Sequence, residues 1–88
     1  VFTANDQMAL GAIRALAEAG RPVPDVSIVG FDDVADAGDY LPPLTTVRTP
    51  RSAIGEASAR MLLELMRGEV PERNSVNLGF ELTVREST

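Results

Sequence analysis

The sequence contains no cysteine, no histidine and no lysine; all eight of its basic residues are arginine. Without cysteine there is no disulfide framework and no thiolate metal site, a composition that fits a reducing compartment. Without histidine the usual general base and the commonest metal ligand are both missing. No apolar run approaches the roughly 18 residues of a membrane span. Thirteen acidic against eight basic residues give a net charge of −5, which argues against this segment gripping phosphates itself. There is no Ser–His pair, no phosphate-cradling glycine loop and no carboxylate pair with an argued geometry, so the chain is not expected to be an enzyme. Internal repeats and low-complexity segments are absent as well.

What remains is a chain of globular type, 44% hydrophobic and 88 residues long, enough for one domain or a piece of one. At this length about 60% of the unfolded surface is buried, which allows a modest core. Val1 already lies in an apparent strand with neither initiator methionine nor turn signal before it, and the chain reads as a fragment of a longer protein.

Residues 1–4 suit a short buried strand. Asn5 then offers a helix N-cap, and Asp6 is favourable in the first turn. Ala9, Ala12, Ile13, Leu16 and Ala17 fall on one helical face, and Gly20 is a good stop. "RPVP" turns the chain into a second strand, residues 26–31, so strand, helix and strand imply a right-handed crossover with parallel strands. After the loop "DDVADAGDYLPP" comes a third strand, "LTTV". Thr49 is expected to cap a second helix with Pro50 at its first position. In that helix Ile54, Ala57, Met61, Leu62 and Leu65 are expected to form the buried stripe, and Gly68 ends it. "VNL" suggests a further strand, and in "FELTVR" Phe80, Leu82 and Val84 alternate with Glu81, Thr83 and Arg85 as in a half-exposed strand. The fold class is α/β.

In open parallel sheets ligands sit outside the carboxyl ends of the strands. Two strands here end in polar residues, the first at Asn5 and the second at Asp32. If those strands are neighbours, the amide and the carboxylate share one sheet edge and make a receptor for vicinal hydroxyls: the carboxylate accepts, and the amide donates and accepts. Gly30 would let other groups pack close to the backbone there. Simpler readings stand beside this one. Asn5 is sufficiently explained as a cap, Asp32 and Asp33 as solvated loop carboxylates, and Phe31 as core. Two adjacent carboxylates are a weak signal for a divalent metal, and none is expected.

"ANDQMALGAIRAL", "VSIVGFDD", "YLPPLTTVR" and the closing "VRES", in this order, resemble the effector-binding core of LacI-type bacterial transcriptional regulators. The resemblance implies an incomplete type I periplasmic-binding-protein-like fold with parts of both lobes. Residues 1–47 would belong to the C-terminal lobe, 50–79 to the N-terminal lobe and 80–88 to the return. In such regulators a small molecule, often sugar-like, binds between the lobes, and operator DNA is held by a helix-turn-helix head that would lie outside this chain. By position, Asn5 and Asp32 would contact the effector, while Asp33 matches the motif without being assigned the ligand. Thr49 stands where many relatives carry glutamine.

The resemblance also implies side-by-side homodimers in the cytoplasm, without a membrane partner and without a cofactor. Leu10 lies about 100° round the first helix from Ala9, and Tyr40 and Leu41 sit in a loop that does not explain their burial. These three are the interface candidates. An extracytoplasmic sugar-binding protein of a transporter shares the "ND" and "GFD" motifs and is the alternative; "PPLTTVR" and "VRES" favour the regulator.

Overall fold

In the computed structural model, which describes residues 1–88, Asn5 and Gly20 bracket the first helix. Helix α1 spans Asp6–Glu18. The Asn5 Oδ1 accepts the Met8 N–H at 2.8 Å, satisfying one of the donors that a helix start leaves open. At the other end Gly20 takes φ 72°, and the N–H groups of Gly20 and Arg21 bond to the carbonyls of Ala17 and Leu16, the double closure that a left-handed residue permits. Ala9 and Ile13 are buried, and Ala12 and Leu16 pack beside them. Ala17 is exposed, lying about 80° round from Ala9 at the helical pitch.

The expected first strand is realised only as a single parallel bridge between Phe2 and Val29, because the chain enters α1 three residues after Thr3. The second strand is shorter and later than expected. A turn closed by the Asp25 N–H on the Pro22 carbonyl runs into Val26, and the Ile28 N–H bonds to the Ser87 carbonyl in the C-terminal tail. Strand β1 is therefore Val29–Asp32. A 3₁₀ turn at Ala37–Asp39 leads to β2, Thr45–Arg48. The two strands pair in parallel with Val29 opposite Thr45 and Asp32 opposite Arg48. Strand β3, Glu81–Thr83, adds antiparallel to β2 with Thr46 opposite Thr83, so the sheet has the order β1-β2-β3.

The chain divides into two compact units, residues 1–49 with 81–88, and residues 50–80. The core of the first holds Ala9, Ile13, Ile28, Ala37, Tyr40 and Leu44. Ile28 and Leu44 are fully buried, each contributing about 1.5–3 kcal/mol.

The second unit holds helix α2, Arg51–Met66. Pro50, not Thr49, occupies its cap, and no side chain closes the first turn; having no N–H, proline leaves one donor fewer to satisfy. Gly68 ends the helix at φ 77°, with the Gly68 and Glu69 N–H groups on the Leu65 and Glu64 carbonyls. No residue of α2 is buried. Of its expected stripe, Ala57 and Met61 are half-buried, whereas Ile54, Leu62 and Leu65 are exposed. Ile54, Ala57 and Met61 line an open groove of about 500 Å³ with residues 74–79. "VNL" forms no strand: the Asn77 carboxamide oxygen instead accepts the Gly79 N–H at 2.8 Å, closing a local turn that competes with a ladder.

Candidate functional site

The bridge between Phe2 and Val29 is parallel, and the Thr3 N–H and hydroxyl both donate to the Val29 carbonyl, at 2.9 and 3.1 Å. Asn5 and Asp32 each stand three residues beyond the bridged pair. Both therefore follow neighbouring parallel segments out of their carboxyl ends, on the side where open sheets take ligands. The capping bond uses the Asn5 oxygen, and its Nδ2 carries the donors that a hydroxyl ligand would meet.

At the end of β1 the backbone turns through two successive residues of positive φ, Asp32 at 121° and Asp33 at 57°. Asp33 lies in the left-handed region that aspartate tolerates. Asp32 lies well outside it, a conformation costing on the order of 1–3 kcal/mol that persists only when its surroundings over-determine it. Those surroundings are specific. The Val34 N–H donates to Asp6 Oδ2 at 2.8 Å and the Thr46 hydroxyl to Asp6 Oδ1 at 2.6 Å. The Asp33 N–H in turn reaches the Thr46 Oγ1 at 3.4 Å. Asp6 is fully buried, and its carboxylate lies over Gly30, where a Cβ would collide with Asp6 Oδ1 and come within 2.9 Å of Leu44 Cδ2.

The two aspartates of "GFDD" have different surroundings. Asp33 Oδ1 accepts from Arg85 Nη1 at 2.9 Å, Oδ2 lies 3.9 Å from Arg48 Nε, and the side chain is only 10% exposed. Arg85 also donates to the Leu44 carbonyl at 2.8 Å. Asp33 is thus committed to joining the end of β1 to β2 and to the segment after β3. Asp32 is half-buried and heads the turn.

Within the closing "VRES", Ser87 holds the sheet's opposite end, where β1 and β2 begin. Ser87 is fully buried; its hydroxyl donates to the Ile28 carbonyl at 2.7 Å and accepts the Thr45 N–H at 2.8 Å. Residue-by-residue reading of the sequence did not find Asp6, Thr46, Arg85 or Ser87 as site supports. Asp6 was legible only as a first-turn acid, although Gly30 signalled that some group packs against β1.

Of the interface candidates, Leu10 and Leu41 are exposed, whereas Tyr40 is only 7% exposed and belongs to the core cluster. The burial that the loop sequence left unexplained comes from this chain's own core. It raises the Tyr40 pKa above its ordinary value of 10.0, first by desolvation and then by the carboxylates of Asp36 and Asp6. No helix is long and apolar enough to cross a membrane.

Residues 1–88 match the model of the periplasmic binding protein-like domain. The HTH-type transcriptional regulator MalR of Streptomyces coelicolor is 49% identical over all of this chain and 26% of its own length. The lactose operon repressor of Escherichia coli is 43% identical over all of this chain and 24% of its own. The chain thus spans about a quarter of the length of these curated relatives. Among solved structures, a complex of the transcriptional regulator CelR with cellobiose is 42% identical, with a TM-score of 0.90 over all of this chain and 27% of that one. These relatives are regulators and repressors, not enzymes. The chain belongs to the periplasmic binding protein-like domain family, in the form found in LacI-type transcriptional regulators.

Proposed function

We propose that the chain is the effector-binding and dimerisation region of a DNA-binding transcriptional regulator, a repressor, that senses a small polyhydroxylated molecule such as a sugar. The observation that carries this reading is the placement of Asn5 and Asp32, each three residues past the parallel Phe2–Val29 bridge, with Asp32 closing β1 on a strained turn. A carboxylate held on a pre-set backbone accepts two hydroxyls, and the neighbouring amide supplies donors. Strain of this kind clusters at ligand clamps. The cellobiose named with the CelR structure is a ligand of that chemical class.

Residues 1–47 and 80–88 would belong to the C-terminal lobe and residues 50–79 to the N-terminal one, a reading supported by the division of contacts near Thr49 and Phe80. The regulator acts in the cytoplasm as a homodimer, with Leu10 and Leu41 at the interface beside Tyr40, whose ring is mostly enclosed. Operator DNA is bound through a helix-turn-helix head outside these residues, in keeping with the acidic balance of the segment. Effector binding biases the dimer between DNA-binding states through its different affinities for them. The relatives named above are regulators, which favours this reading over a transport component.

The test is fluorescence anisotropy of a labelled operator with the intact regulator, titrated with cellobiose, maltose, lactose and sucrose. One of them is expected to shift operator affinity by about fivefold or more, the lower bound of ordinary allosteric coupling. Unchanged operator affinity with all four would contradict the sugar-sensing reading.

A further inference from the structure

The Asp6 carboxylate is fully buried, so it cannot meet a solvent-borne ligand directly. It is nonetheless tied to the turn that carries Asp32. One oxygen accepts the Val34 N–H and the other the Thr46 hydroxyl, whose oxygen lies 3.4 Å from the Asp33 nitrogen. The two amides immediately after Asp32 are thus held by one Asp6–Thr46 pair. The φ of 121° at Asp32 is a conformation that L-residues leave unless neighbouring bonds hold it. Gly30 completes the arrangement: only a residue without Cβ lets the Asp6 carboxylate lie across β1.

We propose that Asp6, acting with Thr46, is a positioning residue that sets effector affinity by fixing the backbone that bears Asp32. It is not itself a ligand contact. The inference rests on the reading of Asp32 as an effector ligand. Helix α1 carries both devices: Asn5 caps it at the sheet edge, and Asp6, the next residue, locks the neighbouring turn from inside. Replacing Asp6 by asparagine keeps the shape but leaves one acceptor for two donors. Replacing Thr46 by valine keeps the volume but removes the hydroxyl, and serine restores it.

The experiment is calorimetric titration of the intact regulator with whichever of cellobiose, maltose, lactose and sucrose shifts its operator binding. Asp6→Asn and Thr46→Val are each expected to weaken sugar binding by about fivefold or more, as expected for lost hydrogen bonds to a charged group. Thr46→Ser should stay within about twofold of wild type. In an Asp32→Ala background, Asp6→Asn and Thr46→Val should add less than about twofold, since residues acting through one another are not additive. A purely structural role would lower the thermal midpoint in both backgrounds without this non-additivity in sugar affinity. If Asp6→Asn does not fold, the Thr46→Val and Thr46→Ser pair decides alone. Full affinity in the folded valine variant, or effects that multiply with Asp32→Ala, would overturn the inference while leaving the function intact. Unchanged affinity in Asp32→Ala, or no sugar binding at all, would overturn the function and the inference with it.

Discussion

At the scale of single residues, adjacent side chains of like chemistry have divergent tasks. Asp32 and Asp33 are neighbours, yet Asp33 is enclosed with Arg85 while Asp32 stands on the strained turn. Asn5 and Asp6 divide similarly: the amide caps α1 and the acid is buried under β1. The motif resemblance separated Asp32 from Asp33, but nothing in the sequence marked Asp6 as buried, because that burial depends on Thr46 and Val34, which lie 40 and 28 residues away. Gly30 was the legible part of that arrangement, its missing side chain marking a close approach.

The phenol of Tyr40 makes stability depend on alkaline pH. Tyr40 is the chain's one tyrosine, in a sequence without lysine or cysteine. Burial, with Asp36 and Asp6 nearby, raises its pKa. A raised folded-state pKa means that the fold favours the neutral phenol. The associated stability is complete below the ordinary value of 10.0 and is lost as pH rises through the folded value. Wild-type protein is therefore expected to lose stability relative to Tyr40→Phe above about pH 10, measured by urea midpoints at a series of alkaline pH values. A constant difference between the two proteins across that range would refute it.

At the scale of elements, the two helices were readable because their limits are set locally: Asn5 and Gly20 for α1, Gly68 for the end of α2. The strands were less so. β1 starts at Val29 instead of Val26 because its upstream partner is the tail at Ser87, 59 residues from Ile28. "VNL" has suitable residues, but the Asn77 side chain takes up the local N–H. The half-exposed alternation expected for residues 80–85 is not realised along its length: Phe80, Glu81, Leu82 and Val84 are all exposed, and only Thr83 and Arg85 are half-buried. Arg85 turns inward to Asp33 and Leu44, a preference no alternation pattern shows.

Helix α1 supports the prediction for self-association. Ala9 and Ile13 face the core, and Leu10 is 45% exposed, with Met8 also outward. An apolar anchor made charged at the centre of an interface costs about 2 kcal/mol or more, which is roughly a thirtyfold rise in dissociation constant. Leu10→Arg in the intact regulator is expected to shift the dimer towards monomer and weaken operator binding while sparing effector binding. Sedimentation equilibrium showing undiminished dimer affinity would remove Leu10 from the interface.

At the scale of the whole molecule, the fold class was legible because four motifs occur in order along the chain, and their matching relatives span it fully. The fate of the apolar faces was not. α2 has no buried residue, and Leu62, Leu65 and Met66 are exposed, since periodicity records that a face is apolar but not which segment covers it. The chain spans about a quarter of its relatives' length; covering surfaces supplied by the rest of such a regulator would account for these faces.

In the proposed function Asp32 binds the effector directly. The most direct measurement of that contact is isothermal titration calorimetry of the intact regulator and its Asp32→Ala variant with the sugar that shifts operator binding. A thermal melt run alongside establishes that both are folded. Loss of charge-assisted hydrogen bonds, about 1.5–3 kcal/mol each, predicts affinity at least tenfold weaker in the variant. Equal affinity in two equally stable proteins would contradict the account.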